Sequence, residues 1–221
     1  MLTVRTFFKS LQPFIQATFQ ETCLHCRSQI ATSTLSLCTE CQMELSPFLK
    51  KIRFESTYVS EMWALGSYRS PLGSLIRSGK YGRRVGIFKA LGDQLAGAAL
   101  DLPEMDAVLS IPMPMKRHWD RGFNQSRILT ERVGSLLGID QYEILYRTDG
   151  VEQASKSISE RQLRLTGRFE VRPHFPKDAI PRTVLLVDDV ITSGNTIESC
   201  ALELLNAGVQ KVYAIAVASV K

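Results

Sequence analysis

Short apolar runs alternate with amphipathic stretches along most of the chain after residue 56. Four apolar runs have the length of buried strands, namely 106–111, 144–147, 183–188 and 211–218. Four stretches with apolar residues at helical spacing are predicted helices, namely 71–79, 85–100, 126–137 and 195–206. Residues 57–68 have the β-branched and aromatic content of strands or of a hairpin. Since strand, helix and strand follow one another from 183 to 218, the pattern predicts a βαβ unit and a parallel sheet with helices outside it.

The segments between these elements are more polar. Residues 1–20 carry apolar side chains at helical spacing with polar residues among them, so an amphipathic helix is predicted there and not a signal peptide. Residues 44–56 are predicted to form a linker or short helix, 112–125 a loop, and 148–168 a long polar loop of a kind that is usually functional or mobile. No apolar run approaches the roughly 18 to 20 residues that a membrane-spanning helix needs, so we expect a cytoplasmic protein.

Charge is distributed unevenly along the 221 residues, whose net charge is +5. No acidic residue falls between Glu61 and Asp93, where six basic residues occur: Arg69, Arg77, Lys80, Arg83, Arg84 and Lys89. A second basic group consists of Lys116, Arg117, Arg121 and Arg127, interrupted by Asp120. Two interpretations stay open, a solvated face that favours solubility and a surface that binds anions.

Four of the five cysteines form two Cys-x-x-Cys pairs, Cys23 with Cys26 and Cys38 with Cys41, eleven residues apart. Two such pairs bring four thiolates to one tetrahedral ion, and zinc is the ion typical of that pattern. Disulfides and a redox pair are the alternatives, although a redox site has no use for a second matched pair. Four thiolates leave no open coordination position, so a structural zinc is predicted, with His25 exposed beside it. Cys200, in an apolar helix, is predicted to be a buried thiol.

The stretch VLLVDDVITSGNT, residues 184–196, joins a buried strand to two adjacent carboxylates and then to a small polar turn. Ligands of parallel sheets bind beyond the carboxyl ends of the strands, where we expect Asp188 and Asp189 to emerge. The turn offers consecutive backbone N–H groups, three hydroxyls and the positive end of the next helix, which together form a phosphate site. Carboxylates that accept hydrogen bonds from vicinal hydroxyls beside such a site suit a ribose 5-phosphate. A plain Asp-capped helix explains one Asp and one Thr but not the whole run.

This run resembles the signature of type I phosphoribosyltransferases, which bind 5-phosphoribosyl 1-diphosphate (PRPP). The resemblance implies that Asp188 and Asp189 hold the ribose hydroxyls and that five residues cradle the 5-phosphate: Thr192, Ser193, Gly194, Asn195 and Thr196. It also implies Mg²⁺ at the pyrophosphate, coordinated largely by the ligand and by water. The loop that follows residue 112 makes three cations available to the pyrophosphate: Lys116, Arg117 and Arg121. Closure over a ligand is a compatible role for the polar loop around 153–161.

A second resemblance extends over essentially the whole chain after residue 20. The order of its motifs is similar to that of the ComF (ComFC/GntX) competence family: the four-cysteine module, Lys80-Tyr81-Gly82, Pro112-Met113-Pro114, Arg121-Gly122-Phe123-Asn124-Gln125, Gln153, Glu160-Arg161 and the phosphate turn. That family commonly has Thr-Thr-Gly-Ala-Thr in the turn, so Ser193 and Asn195 are departures that keep a hydroxyl and add an amide. Together the resemblances imply an N-terminal helix and zinc module over 1–56 and an α/β domain with the parallel-sheet type I phosphoribosyltransferase fold over 57–221.

Two functions follow from these resemblances. The first is a PRPP-binding protein of natural transformation that handles incoming single-stranded DNA in the cytoplasm, at the inner face of the uptake machinery and with competence-machinery proteins as partners. Non-specific binding of single strands needs a positive groove with aromatic platforms. The candidate residues are Arg77, Lys80, Arg83, Arg84 and Trp119, with Tyr68 and Tyr81 nearby, although such aromatic residues are more often found in a core. The second is an active phosphoribosyltransferase with an unidentified acceptor, for which the sequence identifies no base pocket and no catalytic residue.

Overall fold

A computed structural model describes residues 21–30, 35–148 and 169–220. The N-terminal part consists of β1 (Glu21–Thr22), β2 (Gln29–Ile30) and α1 (Thr39–Met43). The chain continues with β3 (Lys50–Lys51), β4 (Glu61–Ser67), α2 (Pro71–Tyr81), α3 (Val85–Ala98), β5 (Ala107–Ser110), α4 (Met115–Arg121) and α5 (Gln125–Leu137). It ends with β6 (Leu145–Arg147), β7 (Phe169–Val171), a 3₁₀ turn (Lys177–Ala179), β8 (Thr183–Ile191), α6 (Asn195–Asn206) and β9 (Lys211–Ser219).

The central sheet has five strands in the order β3-β4-β9-β8-β5. Four of them run parallel, and the two-residue β3 pairs antiparallel with β4 at one edge. The predicted parallel α/β sheet is therefore confirmed, with 57–68 contributing one strand and no hairpin of its own. β6 and β7 form a separate antiparallel pair. The predicted helix in 1–20 and all but the first residue of the predicted polar loop 148–168 lie outside the described residues.

The side chains of β8 alternate between two hydrophobic clusters, because successive residues of a strand face opposite sides of a sheet. Leu185 and Val187 belong to the cluster that contains α2, α3 and α5. Val184 and Leu186 belong to the cluster under α6 and the β6-β7 pair. Cys200 lies in the second cluster with no exposed surface, which confirms the predicted buried thiol. In the part of the chain that the structure describes, the sheet is thus covered on both faces, which leaves the ends of its strands open to a ligand.

The predicted loop 112–125 is wrong, since it contains the helix α4. None of its residues is buried, so no apolar period marks it in the sequence. Gly122 ends the helix in the left-handed region with φ 85° and donates its N–H to the carbonyl of His118 over 2.7 Å. The helix therefore forms from local chain geometry, and none of its residues belongs to a hydrophobic core cluster.

Two element ends also differ from the prediction. α2 passes through Gly79 to Tyr81, because this glycine makes room for a neighbouring helix and does not stop its own. A Cβ on Gly79 would lie 2.7 Å from the ring of Phe88 in α3. β8 continues to Ile191, three residues past its predicted end, because β9 pairs with it up to Ser219.

Candidate functional site

The Asp pair lies where β8 extends past its neighbour β5. β5 ends at Ser110, whose partner on β8 is Val187, so Asp188 and Asp189 are the next two residues along β8 and have no β5 neighbour. A recess of about 240 Å³ opens at this place, at the carboxyl ends of the parallel strands. The carboxylates thus lie at the expected end of the sheet, although they are inside a strand and not beyond its tip.

The start of α5 holds both carboxylates through hydrogen bonds. The Ser126 hydroxyl donates to Asp188 Oδ1 over 2.7 Å, and Gln125 Nε2 donates to Asp189 Oδ1 over 3.1 Å. Asn124 caps the helix by accepting the Ser126 N–H over 3.0 Å, and its amide donates to the Ile111 carbonyl over 3.1 Å. The sequence GFNQS therefore fixes the helix start and places two donors on the acidic pair. These roles of Gln125 and Ser126 are not predicted from the sequence.

Lys80, at the end of α2, forms an ion pair with Asp189. Asp189 is 4% exposed, and the ion pair with Lys80 compensates for the burial of its charge. The sequence-based prediction groups Lys80 with the nucleic-acid residues, whereas the structure places it among the residues that line the recess. The signal available in the sequence is the family motif Lys80-Tyr81-Gly82.

The surroundings of Asp188 change its acidity. Burial raises the pKa of Asp188 to about 7, and the nearby negative charge of Asp189 acts in the same direction. The Ser126 hydroxyl, the Asp189 N–H and the charge of Lys80 lower the pKa of Asp188 and only partly offset these causes. Near neutral pH this carboxyl can therefore either donate or accept a proton at the wall of the recess.

The turn after β8 has the geometry of an anion site. Gly194 adopts φ 82°, a conformation that favours glycine, and α6 starts at Asn195, so the first N–H groups of this helix have no acceptor within the helix itself. Thr192 and Thr196 line the recess. On the other side of the turn a Cβ on Gly194 would meet the Phe54 ring at 2.4 Å. The segment before β4 therefore packs against the turn, and Ser56 in the same segment donates to Glu198 of α6.

Four cationic residues converge on the recess: Lys80, Arg117, Arg121 and Arg147. Arg121 Nη1 donates to Gln125 Oε1 over 2.6 Å, which orients its guanidinium beside the Asp pair. Two of the three residues predicted for the pyrophosphate, Arg117 and Arg121, thus line the recess. Lys116 is exposed on α4 and is outside the set of lining residues. Arg147, on β6, is not among the predicted residues.

The other predicted nucleic-acid residues lie near the ends of α2 and α4. Trp119 and Tyr81 are 79% and 82% exposed, so neither is a core residue. Arg83 donates to the Asp120 carbonyl over 2.8 Å, which ties the α2–α3 turn to α4, and Arg84 is exposed beside it. Arg77 lies 5.4 Å from the centre of the half-buried Tyr68 ring, so this pair forms a cation–π contact.

The four cysteines of the N-terminal part form one cluster. Their Sγ atoms all lie within 4.8 Å of one another, and those of Cys26 and Cys38 are 3.6 Å apart. Sulfurs around a tetrahedral zinc with Zn–S bonds of about 2.3 Å are about 3.8 Å apart, so the cluster fits such an ion. Among the described residues, this is the group of His, Cys, Asp and Glu side chains that can hold a metal. His25 is half-buried and its Nδ1 is 3.1 Å from the Ser74 hydroxyl on α2, so the prediction that it is exposed is wrong.

The thiols have different acidities because they share one small volume. Burial acts to raise the pKa of Cys23, but hydrogen bonds from three backbone N–H groups, of Cys38, Cys26 and His25, bring it down to about 6. The Ser28 hydroxyl lowers the pKa of Cys26, whereas burial raises that of Cys41. Cys23 and Cys26 therefore ionise more readily than an ordinary thiol, and Cys41 ionises less readily. A bound divalent cation would favour the thiolate form.

Comparison with known proteins places the chain in a family. A family model described as the phosphoribosyl transferase domain matches residues 128–221. Competence protein F of Haemophilus influenzae is 27% identical over an alignment of 221 positions, which covers 88% of this chain and 95% of that protein. DNA utilization protein YhgH of Escherichia coli K12 is 32% identical over 160 residues, which cover 67% of each. The chain belongs to the ComF family. Its fold is the type I phosphoribosyltransferase fold, with a four-cysteine module near the N-terminus.

Two solved structures match part of this ComF chain. Glutamine PRPP amidotransferase from B. subtilis, complexed with ADP and GMP, matches with a TM-score of 0.41 and 22% identity over 58% of this chain and 25% of that one. A structure described as the allosteric regulatory enzyme of purine biosynthesis matches with a TM-score of 0.42 over the same shares. The chain therefore spans about a quarter of the length of these enzymes. Within the part of the ComF chain that the structure describes, no helix is long and apolar enough to cross a membrane.

Proposed function

We propose that this protein binds PRPP and acts in natural transformation on incoming single-stranded DNA. The observation that carries the proposal is the convergence, in one recess, of two carboxylates, a helix-start anion turn and four cations. Each part of PRPP has a chemical counterpart there. Asp188 and Asp189 would accept hydrogen bonds from the ribose hydroxyls, and residues 192–196 would donate to the 5-phosphate.

The cations would hold the pyrophosphate. Arg117, Arg121 and Arg147 offer several N–H donors, and the fork geometry of a guanidinium matches phosphate oxygens. Mg²⁺ would bind mainly to the pyrophosphate oxygens and to water, so the protein need supply few ligands. Lys80 compensates Asp189 in the structure, and it would exchange part of that contact for a phosphate oxygen when PRPP binds.

DNA handling is supported by two kinds of observation. Relatives carry the names competence protein and DNA utilization protein. Trp119 and Tyr81 are exposed beside Arg83, Arg84 and Lys116, which is the combination of stacking platforms and positive charge that single strands need. We place the protein in the cytoplasm at the inner face of the uptake machinery, with competence-machinery proteins as partners. The cysteine cluster would hold a structural zinc ion.

PRPP binding is tested by ³¹P NMR of PRPP with Mg²⁺ and the full-length protein. Binding should broaden or shift all three phosphorus signals. Thr196→Val should lower PRPP affinity about tenfold or more, since a hydrogen bond to a charged group contributes about 1.5–3 kcal/mol. Thr183→Val, at the opposite end of β8, is the matched control. Unchanged phosphorus signals in the wild-type sample would refute the PRPP proposal.

The same experiment decides between binding and turnover. An active phosphoribosyltransferase would convert the PRPP signals to those of free pyrophosphate once an acceptor is added. The observation that favours this second function is the cationic wall, since stabilising the leaving pyrophosphate is the main task of catalysis there. Samples with DNA and with free bases should therefore be followed over time beside one with PRPP alone.

A further inference from the structure

A concave surface lies at the amino end of the sheet, opposite the recess that holds the Asp pair. It is a groove of about 450 Å³ between the ends of α3 and α5 and beside the start of β5, and we call it the amino-end groove. Met105 and Asp106, the two residues before β5, line it, whereas the recess lies at the carboxyl ends of the strands. A ligand of this groove would therefore not depend on PRPP.

The walls of the amino-end groove are mostly apolar. Leu102, Leu137 and Ile139 line it and pack against the hydrophobic cluster beneath α3 and α5. Leu100 and Leu136 also line it, but they are 72% and 53% exposed. Exposed leucines that continue a row of half-buried apolar side chains form a surface that the apolar face of a helix can cover.

The charge of the amino-end groove is negative. Glu104 and Asp106 line it, and within the described part of the chain no basic residue does. Both α3 and α5 end at the groove, and neither carries a basic residue in its last turn. The negative ends of two helix dipoles therefore add to the two carboxylates. This charge disfavours nucleic acid and phospholipid headgroups and favours a basic peptide segment.

The sequence of residues 1–20, which lie outside the described residues, has the complementary composition. It contains Arg5 and Lys9 and no acidic residue. Val4, Phe8 and Leu11 occur at intervals of four and three residues, a spacing that puts apolar side chains on one face of a helix. The segment therefore offers an apolar face with positive charge beside it.

We propose that the amino-end groove binds residues 1–20 of the same chain. The apolar face of the segment would cover the two exposed leucines, and its two basic residues would lie beside the acidic residues of the groove. Residues 12–20 would connect this face to β1 and span up to about 30 Å, compared with a radius of gyration of about 17 Å for a compact chain of this length. Because the segment is tethered, its effective concentration is high and a weak intrinsic affinity is sufficient for binding.

The test is photo-cross-linking of the full-length protein with benzoylphenylalanine in place of Phe8. Irradiation should join this side chain to the groove, at Met105 or at one of the exposed leucines, and peptide mass spectrometry locates the bond. A cross-link to the groove within one chain, with a yield independent of protein concentration, supports the proposal. A cross-link between two chains, one confined to other parts of the surface, or none at all would overturn it.

The matched control places the same photoreactive side chain at position 48. Phe48 is 70% exposed and lies outside the groove, so its cross-links should not include Met105 or the exposed leucines. Equal labelling of the groove from positions 8 and 48 would mean that the labelling is not specific, and the proposal would fail.

Charge reversal tests the electrostatic part of the proposal. Glu104→Lys should lower the yield of the cross-link from position 8 about threefold, since repulsion replaces an exposed ion pair. Adding Arg5→Glu and Lys9→Glu to this variant should restore the yield. Glu44→Lys is the control, because Glu44 is an exposed acid outside the groove. Equal yields in all these proteins would show that charge does not select the segment.

Leu136→Gln tests the apolar part. The side chain is largely exposed, so the melting temperature should stay close to that of the wild type while the yield of the cross-link falls. An unchanged yield would contradict the apolar contact. Because the groove and the recess lie at opposite ends of the sheet, these outcomes do not depend on whether the protein binds PRPP.

Discussion

At the scale of single residues, Asp188 makes the stability of the protein depend on pH in a definite direction. Burial and Asp189 raise the pKa of Asp188 to about 7 in the folded chain, from 3.8 for an exposed Asp. As pH rises between these values, the unfolded chain releases the proton and the folded chain keeps it. The stability that this group contributes is therefore full at low pH and decreases as pH rises to about 7.

Asp188→Asn should remove this dependence, because Asn keeps an oxygen acceptor for Ser126 and for the Asp189 N–H but carries no charge. The free energy of unfolding of the variant, relative to wild type, should increase with pH between pH 5 and 7 by up to about 1.4 kcal/mol per pH unit. Denaturant unfolding at several pH values measures it. Asp101→Asn, at an exposed position, is the control. A constant difference across the pH range would contradict the burial argument.

Gly194 and Phe54 give a second prediction at this scale. Gly194→Ala should destabilise the protein by about 1–3 kcal/mol, since the new Cβ meets both a left-handed backbone and the Phe54 ring. In a Phe54→Ala background the ring is absent, so Gly194→Ala should lower the free energy of unfolding only by the cost of placing Ala in the left-handed backbone conformation. A double-mutant cycle of thermal or denaturant unfolding measures the difference. Simple additivity would mean that Phe54 does not support the turn at Gly194.

At the scale of elements, the helix α4 directs basic residues that are adjacent in sequence to different parts of the surface. Arg117 lines the recess, whereas Lys116 is exposed together with Trp119. A helix with no buried residue gains little from packing, so its position depends on its ends. Gly122 terminates it, and Arg83 binds the carbonyl of Asp120. One side of this element thus lines the recess that we propose for PRPP, and another belongs to the surface that we propose for DNA.

Lys116→Ala with Arg84→Ala should therefore affect DNA binding alone. The slope of log affinity against log salt should flatten by about 0.7 for each DNA phosphate that the variant no longer neutralises, with PRPP affinity unchanged. Arg117→Ala should weaken PRPP binding as well, and Trp119→Ala should weaken DNA binding at every salt concentration without changing the slope. Fluorescence anisotropy with a labelled oligonucleotide measures DNA affinity and its salt dependence. An unchanged slope in the double variant would show that these cations form only a solvated face.

At the scale of the whole molecule, the cysteine module is joined to the α/β sheet by a shared core. Cys23, Leu37 and Cys41 belong to the same hydrophobic cluster as Leu75 and Phe88. α2 contacts His25 through Ser74 near its start and Asp189 through Lys80 at its end. A division into 1–56 and 57–221 stays a prediction, and this packing leads us to expect that the two parts unfold together.

Removing the metal should therefore change more than the module. Cys26→Ser should abolish zinc binding, lower the melting temperature in a single transition, and weaken PRPP binding through α2. Elemental analysis, calorimetry and ³¹P NMR measure the three effects. Cys200→Ala, a buried thiol in the other cluster, should lower the melting temperature but keep the zinc. Two separate unfolding transitions, or full PRPP affinity in the metal-free variant, would show that the module folds and acts alone.

Local sequence patterns were enough to predict the parallel sheet, the four-cysteine cluster and the order of strand, Asp pair and turn. Strand alternation, cysteine spacing and the chemistry of adjacent carboxylates each depend on residues close together in the chain. The resemblance to the ComF family added Lys80-Tyr81-Gly82 and Arg121-Gly122-Phe123-Asn124-Gln125 without showing what these residues contact. α4 was missed because an exposed helix has no hydrophobic period.

Tertiary structure alone decided which distant residues meet. Lys80 pairs with Asp189, Gln125 and Ser126 bind the two carboxylates, and Phe54 packs on Gly194, in each case across more than 60 residues of sequence. Such contacts depend on how helices pack across a sheet, and a short-range sequence pattern does not specify which distant residues will touch. The sequence by itself determined the chemical groups of the site, and the packing determined their partners, the raised pKa of Asp188 and the recess that they line.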